Sequence, residues 1–120
     1  MCALFKRKHL DKVLQGTKTQ TRRTHKQLWK VGRTYAVRDR WFSKPAGRIL
    51  ITRRFRQRLG DISLEDVRKE GYETLESYKK AWEEIYGPGS WNPELVVTVY
   101  EFVLDAKTSK LSTAGENRRL

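Results

Sequence analysis

Apolar positions change their period along this chain, and each change marks an element. Leu10, Val13 and Leu14 recur at i, i+3 and i+4, which predicts a short amphipathic helix over residues 7–15. Gly16 stands where a left-handed C-cap belongs. In "WKVGRTYAVRDRW" a turn at Val31-Gly32 leads into a strand with Tyr35, Val37 and Asp39 on one face and Ala36, Arg38 and Arg40 on the other. "KPAG" reads as a turn. "RILITRRFRQRL" then reads as a long strand, with Ile49, Ile51 and Phe55 opposite Leu50, Thr52, Arg54 and Arg56. Ser63 is an N-cap for a short helix with Asp66 in its first turn. Thr74 caps a longer helix, 75–86, with Leu75, Tyr78, Trp82 and Ile85 as its apolar stripe and Glu76–Lys80 and Lys79–Glu83 as i, i+4 pairs. "GPGSWNP" ends it. "ELVVTVYEFVL" is apolar on both faces, as a central strand of a closed or covered sheet would be. The order of elements predicts an α+β fold, a small β-barrel with flanking helices at its open side.

At 120 residues the chain is expected to form one domain, 1–105, followed by a flexible tail, 106–120, that is nearly devoid of apolar residues. No apolar run approaches the ~18 residues of a membrane span, and "MCALFKRKHL" is too short in apolar residues for a signal peptide. Cys2 is the single cysteine, at a terminus expected to fray, and His9 and His25 lie far apart. The expectation is a cytoplasmic protein with no metal, no cofactor, no membrane contact and no obligate protein partner.

Charge separates along the chain. Residues 1–58 carry 18 Lys/Arg and 2 Asp/Glu, whereas residues 59–105 carry 4 and 11. The basic half also holds Trp29, Tyr35, Trp41, Phe42 and Phe55. Cations that track phosphates and rings that stack on bases point to a nucleic-acid or nucleoside partner. Strand alternation predicts one continuous positive face with Arg22, Arg38, Arg40, Arg54 and Arg56.

The stretch "GTKTQTRR" places Lys18 and Thr21 three apart, just after the helix end. A regular strand would point them to opposite faces, so a kink after Gly16 is needed to bring cation and hydroxyl together. Gly16-x-Lys18-x-x-Thr21-x-Arg23 resembles the G-x-K-x-x-T-x-R signature of the ASCH domain, of the PUA-like superfamily. The resemblance extends over roughly residues 5–104 through the order of the elements. It implies a PUA-like barrel and a cleft that takes RNA or a modified nucleoside. One small branch of the family removes the acetyl group of N4-acetylcytidine with a Lys, a Thr and a Glu. Carried over, these fall on Lys18, Thr21 and Glu70, with Glu73 as the neighbouring carboxylate. Gly16, Arg22, Arg23, Arg38, Arg40 and Trp41 are the expected substrate-binding residues.

Such chemistry fits these residue types. Amide hydrolysis needs a nucleophile, a base to activate it and an acid for the leaving amine. Lysine serves as base when burial and nearby cations lower its pKa. Two other functions share the pattern: a non-catalytic RNA-binding module, and a single-strand ribonuclease using Lys18 and Glu70 as acid and base.

Overall fold

The computed structural model describes residues 2–24, 29–40 and 44–105. His25, Trp41, Phe42 and the 106–120 tail lie outside the described residues. The fold is α+β: a mixed five-stranded sheet curved into a half-barrel, with three helices among the described residues. The elements are β1 (Cys2–Leu4), α1 (Arg7–Gln15), β2 (Gln20–Arg23), β3 (Thr34–Arg38), β4 (Gly47–Arg58), α2 (Leu64–Lys69), α3 (Leu75–Tyr86) and β5 (Val96–Leu104). A 3-10 turn, Leu59–Asp61, joins β4 to α2. None of the helices is long and apolar enough to cross a membrane.

Local signals place the helices. Gly16 takes φ +80° and its N–H bonds back to Lys12 and Val13, which closes α1. Ser63 Oγ accepts from the Asp66 N–H, 3.0 Å, at the start of α2. Thr74 and Ser77 form a reciprocal capping box that starts α3.

Strand order is β1-β3-β4-β5-β2, with β1 parallel to β3 and the other pairs antiparallel. Instead of fraying, the N-terminus forms a sheet edge. β5 lies between β4 and β2, and Val97 and Val99 are buried as its two-sided apolar pattern requires. The reason for that pattern is two cores. Tyr100 and Phe102 pack with Ile49, Ile51, Trp29, Phe5 and Leu10 on one side of the sheet. Val97 and Val99 pack with Leu59, Val67, Tyr78 and Trp82, beneath α2 and α3, on the other.

A bulge at Thr52 lets β4 serve both cores. Ile51 pairs with Phe102 but Arg53 with Glu101, so one extra residue enters β4 and side-chain parity flips. Ile49 and Ile51 therefore join the first core and Phe55 the second, where unbroken alternation predicts a shared face. The same flip breaks up the expected basic face. Arg54 pairs with Tyr100 and shares its side of the sheet, while Arg38 alternates with Val37 and points to the other. Arg22 is buried rather than on a face at all. "KPAG" also differs from expectation, since Gly47 already opens β4.

Candidate active site

The sharp exit from α1 sets the position of Lys18. The N–H groups of Thr17 and Lys18 both bond to Lys12 O, at 3.0 and 3.2 Å, so the chain folds back under the helix end. Lys18 thus lies before β2 begins, where strand alternation does not apply. Next, the Thr19 N–H donates to Lys69 O, 2.8 Å, and Thr19 O accepts from the Phe102 N–H, 3.0 Å. These two bonds stitch the segment to the end of α2 and to β5. They bring Lys18 beside Glu70, the C-cap of α2.

The result is a buried charge cluster. Lys18 Nζ donates to Glu70 Oε1, 2.7 Å, and to Glu70 O, 3.2 Å. Arg22 donates from Nη1 to Glu70 Oε2, 2.9 Å, and from Nη2 to Gln57 Oε1, 2.7 Å. Arg22 also donates to Gln20 Oε1, and lies 3.4 Å from Asp66 Oδ2. Lys18, Arg22 and Glu70 are 4%, 3% and 2% exposed, so one carboxylate holds two cations out of water. Burial lowers the Lys18 pKa, Glu70 opposes this, and Arg23 and Lys12 add to the lowering.

Thr21 is buried on β2, with Oγ1 accepting from Arg23 Nε at 3.1 Å. Among the described residues nothing accepts its hydroxyl proton. The Arg23 guanidinium lies over the Phe5 and Trp29 rings, 4.6 and 5.0 Å from their centroids.

Lys18, Thr21, Arg22, Arg23 and Glu70 all line one cavity of about 140 Å³. Its walls are aromatic: Phe5, Tyr72 and, from α3, Tyr78, Trp82 and Tyr86. The last three stand at i, i+4 and i+8, one face of the helix. That spacing was the available signal for the wall; in the sequence, Tyr78 and Trp82 read as core alone. The cavity is small beside the roughly 300–1,000 Å³ of drug-sized ligand sites, and suits a single ring with a short substituent.

Residues expected to bind substrate divide accordingly. Arg22 and Arg23 line the cavity, while Gly16, Arg38 and Arg40 do not. Gly16 acts through the backbone, Arg38 ends β3, and Arg40 lies beyond it. Trp41 falls outside the described residues. Glu73 is exposed beside a neighbouring groove, so Glu70 is the carboxylate at Lys18.

Two residues without a sequence signal also reach the cavity. His9 Nε2 and the Tyr72 hydroxyl are 2.6 Å apart. Burial lowers the His9 pKa to about 3, helped by Lys18, Lys8, Lys12 and Arg23. Burial raises that of Tyr72 to about 12, so both are neutral near pH 7. Lys12 Nζ donates to Gly71 O, 2.8 Å, and sits 4.0 Å from the Tyr72 ring centroid. α1 therefore clamps the loop that carries Glu70. Gly71 in that loop has φ +95°, and a Cβ there would lie 2.9 Å from Lys12 Cδ. Gly71→Ala is expected to destabilise the fold by about 1–3 kcal/mol in urea unfolding. Gly16→Ala, with φ +80° but open space around it, should stay nearer about 1 kcal/mol. Equal losses at the two positions would refute the clamp.

No family model matches the chain, and no curated protein matches it. Among solved structures, the ASCH domain of Lactobacillus crispatus JV V101 superposes with a TM-score of 0.68 at 17% identity, over 80% of this chain and 69% of that one. The chain has the ASCH-domain fold. A protein of Enterococcus faecalis V583 described as DUF984 superposes with a TM-score of 0.59 at 21% identity, over 78% and 67%. At these identities the likeness is one of fold, and in this ASCH fold the polar cluster lies where the edge strand β2 meets α1 and α2.

Proposed function

We propose that this protein is an amidohydrolase that deacylates N4-acetylcytidine or a related N4-acylated cytosine nucleoside. The observation that carries the reading is a threonine with an uncommitted hydroxyl proton, lining the same small aromatic cavity as a buried Lys–Glu pair. Lys18 first releases a proton from its ammonium to solvent, a loss that burial eases by lowering its pKa, and Thr21 Oγ attacks the acyl carbon as its own proton passes to the freed amine. Arg23 steadies the charge building on Oγ. The C–N bond then breaks, and Lys18 returns the proton to the leaving nitrogen. Water attacks the acyl-threonine through Lys18, releasing the carboxylic acid and restoring the Thr21 hydroxyl. Glu70 holds Lys18 in place and offsets its charge whenever it is protonated. Net, one water is consumed, and amine and acid are formed.

Incubation with N4-acetylcytidine should release cytidine and acetate in equal amounts. Thr21→Ala should lose turnover by about 10²–10⁴-fold with the fold intact, while Thr21→Ser keeps part of it. An unchanged substrate with the wild-type protein, or full activity in Thr21→Ala, rejects the reading.

A second reading, polyanion binding, draws on the exposed Arg54 and Arg56, which share one side of β4. It predicts steep weakening of RNA binding with salt through counterion release, whereas turnover of an uncharged nucleoside should hardly respond.

A further inference from the structure

The charges gathered at the cavity do not balance. Lys18 and Arg22 are both met by Glu70, and Arg22 also by Asp66. Arg23 is different. Its Nε donates to Thr21 Oγ1, and its guanidinium lies over the Phe5 and Trp29 rings. Among the described residues neither of its Nη atoms has a hydrogen-bond or ion-pair partner, and neither belongs to the fully enclosed nitrogens. Arg23 is only partly buried, and it lines the cavity. Burial lowers its pKa, while Tyr86, Glu70, Tyr100 and Tyr78 oppose the shift. Tyr86, Glu70 and Tyr78 line the same cavity, so the guanidinium stands within electrostatic reach of the wall that α3 supplies. Three cations, Lys18, Arg22 and Arg23, thus stand against two carboxylates, Glu70 and Asp66. The surplus is one positive charge, and the pairing leaves it on Arg23.

We propose that Arg23 makes this cavity a carboxylate site, its two Nη groups holding a small monocarboxylate whose apolar body lies among the aromatic walls. The site rests on charge and geometry and on no part of the hydrolase reading. With Nε taken by Thr21, the free edge of the guanidinium is the Nη1–Nη2 fork, whose parallel donors match the two oxygens of a carboxylate. The Phe5 and Trp29 rings restrict the guanidinium beforehand, so binding orders little more of the side chain. One unpaired charge calls for a monoanion. Inorganic phosphate would bring more charge and a tetrahedral, hydrated body to walls made of Phe5, Tyr78, Trp82 and Tyr86. A cavity of about 140 Å³ admits a single ring with a short substituent, which describes benzoate. For the hydrolase, the same fork marks the product that leaves last, since the acid freed from Thr21 forms beside Arg23.

The test compares benzoate, its neutral isostere benzamide and inorganic phosphate by calorimetry, on the wild-type protein and on Arg23→Gln. Salt is held at roughly 0.15 M, where exposed charges are screened. Wild type should bind benzoate at least about tenfold more tightly than benzamide, the worth of one charge-assisted hydrogen bond. Arg23→Gln should bring the two within about threefold. Where that variant fails to fold, the Arg23 Nε–H resonance of the wild-type protein replaces it. That resonance should move with benzoate and stay put with benzamide. Equal binding of benzoate and benzamide, a preference that persists in Arg23→Gln, an Arg23 resonance indifferent to benzoate, or phosphate as the tighter ligand overturns the assignment. Benzoate held through Arg23 by a protein that leaves N4-acetylcytidine untouched supports the assignment and rejects the hydrolase.

Discussion

Glu70→Gln is expected to cost about 3–5 kcal/mol of folding stability, the usual loss when one partner of a buried ionic group is removed. The carboxylate is 2% exposed and is the one buried anion at both Lys18 and Arg22 among the described residues. An amide keeps the shape but places an NH₂ against one of the two cations, and neither cation has water to turn to. Asp66 lies 3.4 Å from Arg22 and can share that charge, whereas no second carboxylate reaches Lys18 among the described ion pairs. A typical domain is stable by only ~5–15 kcal/mol, so the variant should sit near the edge of unfolding. Urea unfolding followed by circular dichroism measures the loss. The pair should also be coupled: Lys18→Met combined with Glu70→Leu should be less damaged than the sum of the single changes, because the Lys18 charge is no longer orphaned, while Arg22 keeps Asp66 in both Glu70 variants. A loss under about 1 kcal/mol for Glu70→Gln, or simple additivity in the double variant, would show that the cluster is not held as described. Turnover must be read against the folded fraction, since the same carboxylate that positions Lys18 also stabilises the fold.

What the chain discloses of itself follows the range of each interaction. α1 and α3 have the limits that their caps announce, because Gly16 and the Thr74–Ser77 box act within one turn. β1 carries no such mark: it is three residues long and its partner is β3, more than thirty positions away. β2 is harder still. Gln20, Thr21, Arg22 and Arg23 hold no apolar residue, and the strand is buried by polar partners from α2, β4 and β5 rather than by hydrophobic packing. The positive face failed for a related reason. Alternation is a rule about an unbroken strand, and one extra residue at Thr52 reversed it for everything downstream. At the site, the signature drew attention to Lys18 and Thr21, and similarity to a family drew it to Glu70. The bond that joins them, Thr19 N–H to Lys69 O, is tertiary and leaves no trace in spacing. His9 and Tyr72 were silent because a lone histidine on an amphipathic helix reads as surface or core until its partner is seen.

That histidine makes the fold acid-sensitive. His9 is 7% exposed, and burial with its cationic neighbours Lys18, Lys8, Lys12 and Arg23 brings its pKa down from 6.5 to about 3. The folded state therefore refuses a proton that the unfolded chain accepts. With more protons bound on unfolding, stability rises with pH across this window. The contribution is complete above pH 6.5 and drains away as pH falls toward 3. At ~1.36 kcal/mol per pH unit, lowering the pH from about 7 to about 4.5 should remove roughly 2–3 kcal/mol through this group alone. His9→Gln offers the Tyr72 hydroxyl a neutral partner that does not titrate, so its stability should fall by that much less over the same interval. The readout is the difference in unfolding free energy between the two pH values, compared in the two proteins. Other acid-labile contacts are common to both and cancel. Parallel pH profiles would place a charged His9 comfortably in the folded state. That would contradict a cavity wall shielded from water and ringed by Lys18 and Arg23, the setting on which the basicity of Lys18 also depends.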